Sequence, residues 1–124
     1  MDMLVKFIVP ALLFLLTLAL GFWLSKTGRP YNGLLFNAHK LIAQAGVVVA
    51  AIQVAKILAP ANSSALLIAL LVVAAISIIA LFASGALMSA DKLNYFIMRT
   101  THNIALGLMI LALAVATYLL AQTP

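Results

Sequence analysis

The chain has no cysteine. Disulfides, iron–sulfur ligation, thiolate-bound zinc and covalent haem attachment through Cys-x-x-Cys-His are therefore excluded. Acidic groups are almost as scarce: Asp2 and Asp91 are the only two, and both fall at the edges of apolar segments. Paired-carboxylate chemistry is thus ruled out, and a small proton-coupled exporter, which needs an ionisable group inside the membrane, is disfavoured. Neither a nucleophile elbow nor a glycine-rich phosphate loop occurs. Charged residues make up only 7% of the chain, and the formal charge of +5 comes from seven Lys and Arg residues. These are scattered over short loops with no basic patch of interleaved aromatics, so nucleic acid is not an expected partner.

What the chain has in abundance is apolar surface. Of its 124 residues, 67% are hydrophobic. A soluble domain of this size cannot bury that much apolar area. The apolar residues fall into four stretches, at 3–24, 33–59, 65–88 and 93–121, each at least as long as the roughly 20 residues that cross a bilayer as a helix. The expected fold class is an all-α integral membrane four-helix bundle, residues 1–124 forming a single transmembrane domain surrounded by lipid. The first stretch is long for a signal peptide and has no Ala-x-Ala pattern after it, so it is expected to stay as a helix. Pro10, about two turns in, predicts a kink or local loosening. Pro60 should stop the second span, and a Ser or Asn in the turn at 60–64 should cap the third. Residues 93–100, mixed polar and aromatic, read as a helical extension in the headgroup region.

Basic residues give the orientation. Lys26, Arg29, Lys40, Lys92 and Arg99 collect at the loops after the first and third spans, while the other face has Lys6 and Lys56. The positive-inside rule puts both those loops in the cytoplasm and the N and C termini outside.

A faint internal repeat accompanies this layout. Gly21 precedes Ser25 by four residues, as Gly85 precedes Ser89; His39 lies fourteen residues after Ser25, and His102 thirteen after Ser89. Two duplicated helical hairpins would give this pattern, with the histidines at equivalent sites. His39 and His102 are the only histidines in the chain, near the same end of the second and fourth spans. Two imidazoles at one depth on parallel helices suit the axial positions of one six-coordinate haem b. Along the His39 face lie Ile42, Ala43, Gly46 and Ala50, small enough for a flat macrocycle or for close helix packing. The His102 face presents Ala105, Leu106, Met109 and Leu113, an apolar wall with a polarizable thioether. Arg99, three residues before His102, is the first choice for a propionate, with Lys40, Lys92 and Arg29 as further candidates. Asn37, Asn103, Thr100 and Thr101 are candidates for holding an imidazole N–H or a propionate oxygen. Gln44 and Gln53 need partners inside the membrane, and helix packing accounts for both better than a quinone site does.

In its four-span layout, and in the segments Asn37-Ala38-His39-Lys40 and Thr101-His102-Asn103, the chain resembles the small four-helix b-type cytochromes of bacterial membranes, broadly the cytochrome b561-like group. Members of that group commonly carry more histidines and two haems, whereas this chain has ligands for one. The resemblance implies an inner-membrane electron carrier that exchanges electrons with a quinone or a neighbouring redox protein near the cytoplasmic face. The competing expectation is a non-catalytic accessory subunit of a larger respiratory or photosynthetic membrane complex. A homo-oligomer in which two copies share a haem fits the same residues.

Overall fold

The computed structural model describes residues 3–58, 64–90 and 93–122. Within them the chain is helical and has no strand: α1 (Met3–Lys6), α2 (Ile8–Thr27), α3 (Gly33–Leu58), α4 (Ala65–Ala90) and α5 (Tyr95–Ala121). The last four are each long and apolar enough to cross a membrane. The all-α, four-span class expected from the sequence holds. Asp2, Asp91, Lys92, Ala59 and the turn at 60–63 lie outside the described residues. The chain divides into two compact units, Met1–Asn62 and Ser63–Pro124. Each is a helical hairpin, α2 packed on α3 and α4 packed on α5.

In the first hairpin the expected span at 3–24 is split at Phe7, whose backbone (φ −100°, ψ 1°) separates α1 from α2. Pro10 is the cause: it has no N–H for the Lys6 carbonyl, and its ring crowds that oxygen. The helix then runs three residues past its expected end. Gly28 closes it, donating its N–H to the Leu24 carbonyl at 3.0 Å with φ at +71°, a region L side chains rarely occupy. After the turn, the Asn32 side chain accepts the Leu35 N–H at 3.1 Å and starts α3. Only Pro10 and Leu24 are buried in α2, and no residue is buried in α3.

The second hairpin is packed more tightly. Ser64 caps α4 by accepting the Leu67 N–H at 3.2 Å, the role expected of a serine in that turn. Asn94 caps α5, accepting from the N–H groups of Phe96 and Ile97 at 2.9 and 3.3 Å. The helix therefore starts at Tyr95, two residues after its expected start at 93. Buried positions form one stripe per helix: Leu67, Ala74, Ser77, Ser84 and Met88 on α4, and Ala105, Met109, Ala112, Ala116 and Leu120 on α5. Three- and four-residue spacings put each set on one face, and the alanines let the helices approach closely. The remaining surface is studded with exposed Leu, Ile, Val and Phe. In lipid these contact acyl chains at no cost, and the closed backbone hydrogen bonding of the helices satisfies the main chain.

Candidate functional site

His39 lies six residues into α3 and His102 seven into α5, so both sit in the second turn of the returning helix of their own hairpin. Both rings are half-buried. In each hairpin, the imidazole leans on the outgoing helix beside a glycine and hydrogen-bonds to it through Nδ1.

The His39 Nδ1 is 3.0 Å from the carbonyl oxygen of Thr17. A carbonyl only accepts, so Nδ1 carries the proton and Nε2 is the basic nitrogen. Gly21 makes room for this ring: a Cβ added there would meet His39 Cε1 at 2.9 Å, closer than van der Waals contact allows. One α-helical turn separates Thr17 from Gly21, so the acceptor and the gap lie on one face of α2. The Thr17 hydroxyl donates to the Leu13 carbonyl at 2.8 Å and takes no part in holding the ring.

The His102 Nδ1 is 2.9 Å from the Ser84 hydroxyl. That hydroxyl donates to the Leu81 carbonyl at 3.2 Å. With its proton there, the oxygen can accept from Nδ1–H, the direction of that bond following the tautomer of the ring. Gly85 sits under the ring with more space, an added Cβ meeting His102 Cε1 at 3.5 Å. The two hairpins thus share one device: a histidine on the returning helix and, on the outgoing helix, a glycine and an oxygen within hydrogen-bond distance of Nδ1. The glycines are the ones that mark the sequence repeat.

His39 is left with Nε2 as the lone-pair nitrogen, the kind of donor atom that a haem iron takes, with an acceptor on the opposite nitrogen to fix ring orientation; His102 has the same arrangement in the tautomer protonated at Nδ1. This donor chemistry fits a non-covalent b-type haem. No cluster of three or more His, Cys, Asp or Glu side chains occurs among the described residues, so a multi-ligand metal centre finds no donor set there.

The other expected site residues are dispersed. Arg99 is exposed, on the first turns of α5. Lys40 is exposed, and its ammonium lies over the Phe36 ring at 5.7 Å from the centroid. Ala43 is half-buried. Gly46 faces α2, where an added Cβ would lie 3.5 Å from Leu13 Cβ, and Met109 is only 6% exposed, within the buried stripe of α5. Packing inside the hairpins accounts for both. At the loop end of the first hairpin, an open groove of about 420 Å³ is lined by Trp23, Thr27, Asn32, Leu34, Leu35 and Ala38, and neither histidine lines it.

Thr17 and Ser84 were not legible as parts of the site from residue type alone. The signal available was hairpin arithmetic. Gly21 and His39 are equidistant from residue 30, and Ser84 and His102 from residue 93, so a tight antiparallel turn brings each pair level. No protein-family model matches the chain, and no curated protein or solved structure is similar to it.

Proposed function

We propose that this chain is a membrane-bound electron carrier of the b-type, cytochrome b561-like kind, with His39 and His102 as the two axial ligands of one haem b. The observation that carries the reading is the repeated arrangement: in each hairpin an oxygen of the outgoing helix lies within hydrogen-bond distance of the histidine Nδ1, and by accepting the proton there it would leave Nε2 to ligate. When bound, the haem supplies a one-electron iron couple, and with both axial positions filled it has no open site for oxygen chemistry.

The chain's own residues do the rest. Thr17 and Ser84 orient the imidazoles, and Gly21 and Gly85 let the rings lie against the helices. Arg99 and Lys40 supply cationic charge for propionates at the loop end of the helices, with Ala43, Gly46 and Met109 contributing small and apolar packing around the histidine level. The basic loops belong on the cytoplasmic side of a bacterial inner membrane, both termini outside. Electron exchange with a quinone is supported by the groove at the loop end of the first hairpin, which is mostly apolar and includes the polar side chains of Thr27 and Asn32. A second reading, an accessory subunit of a larger membrane complex, is favoured by α3, which has no buried residue and so offers a whole face to a partner.

Substitution at the ligands separates the two. His39→Ala and His102→Ala should each abolish the low-spin haem spectrum of the purified protein, and Gln53→Ala should leave it unchanged. A normal low-spin spectrum in both histidine variants contradicts the assignment, and a colourless wild-type protein favours the accessory subunit.

A further inference from the structure

We propose that Ser84 is a positioning residue that sets the donor strength of His102, so that the two histidines are unequal ligands. The inference rests on the haem reading above. His39 is tied to a main-chain carbonyl, which no substitution at Thr17 removes. His102 is tied to a side-chain hydroxyl, which a single substitution deletes.

Two observations single out Ser84. It is 2% exposed on α4, the most apolar of the spans with mean hydropathy 3.1. The Leu81 carbonyl, 3.2 Å away, is an acceptor for its hydroxyl proton, which frees the oxygen to accept from His102. Ser77 provides the contrast. It too is buried on α4, 4% exposed, and its hydroxyl donates to the Val73 carbonyl at 2.8 Å, yet it has no histidine beside it. What distinguishes Ser84 is its oxygen 2.9 Å from His102 Nδ1, the acceptor in this proposal. An acceptor on Nδ1–H pulls the proton away from the ring and makes Nε2 a stronger donor, which stabilises the ferric over the ferrous iron.

The test uses the full chain in detergent micelles, with two readouts. Nitrogen-15 NMR of the haem-free protein should show His102 protonated at Nδ1 and bare at Nε2. Ser84→Ala should shift these ring nitrogens, while Ser84→Thr and Ser77→Ala keep them. In the haem-loaded protein, Ser84→Ala should raise the midpoint potential, Ser84→Thr should restore it, and Ser77→Ala should leave it in place. Unchanged ring-nitrogen shifts in Ser84→Ala, a wild-type His102 protonated at Nε2, or a potential indifferent to Ser84→Ala would each overturn the proposal. A chain that takes up no haem while His102 behaves as described removes the functional reading, and with it the tuning role, but leaves the Ser84–His102 bond established.

Discussion

Gly21 and Gly85 occupy matching places beneath the two histidines, yet the space they leave is different. A Cβ at Gly21 would meet the His39 ring at 2.9 Å, and one at Gly85 the His102 ring at 3.5 Å. The first is a clash with a ring anchored by its Nδ1 hydrogen bond, and the second is ordinary contact. Gly21→Ala should therefore displace the imidazole and destabilise the first hairpin by about 1–3 kcal/mol, the usual cost of overpacking. Gly85→Ala should be neutral or stabilising by up to about 1 kcal/mol, through the better helix propensity of alanine. Thermal unfolding of both variants in the same detergent reads the difference, and equal melting temperatures would contradict the packing described. The residue scale is also where the sequence is least readable. The two histidines stand out because they are the only ones in the chain. Their acceptors are a main-chain carbonyl and one serine among several, neither of which has a compositional signature.

At the scale of the element, the spans were readable to within a few residues because about 20 apolar residues in a row leave the backbone no alternative to a helix in lipid. The ends were less so, since they depend on single residues in special roles. Pro10 signalled disruption, and the break falls three residues earlier, at Phe7, because the oxygen deprived of its partner belongs to Lys6. Gly28 carries α2 beyond its apolar stretch by taking up a positive φ. Asn94 moves the start of α5 to Tyr95 by collecting two amide protons at the helix N-terminus. Asn94→Ala removes that cap and should destabilise the second hairpin by about 1 kcal/mol, whereas Asn94→Asp or Asn94→Ser should retain most of it. Faster amide hydrogen exchange at Phe96 and Ile97 in the alanine variant alone would report the loss. Exchange unchanged in all three variants would show that the cap is dispensable.

For the molecule as a whole, the duplicated hairpin read faintly from Gly21, Ser25, Gly85 and Ser89 gains physical content. Each hairpin is a compact unit, and each carries a histidine in the second turn of its returning helix with Nδ1 against an oxygen of the outgoing helix. The hairpins differ in how they are held together. The second has a continuous buried stripe on each helix, while the first buries only Pro10 and Leu24 of α2 and nothing of α3. Hydropathy alone did not separate them, because lipid-facing and helix-facing residues are equally apolar in a membrane and only size distinguishes them. Small residues mark the seam of the second hairpin: Ala74, Ser77 and Ser84 on one helix, and Ala105, Ala112 and Ala116 on the other.

The proposal at the centre of this account is that His39 and His102 ligate a single iron. A reduced-minus-oxidised absorption spectrum of the purified full chain, with haem and protein quantified in the same sample, tests it most directly. The account predicts a sharp reduced α-band of b-type shape and one haem per chain, or one per two chains if two copies share it. A colourless protein, or a haem whose spectrum is high-spin with an open axial position, would contradict it.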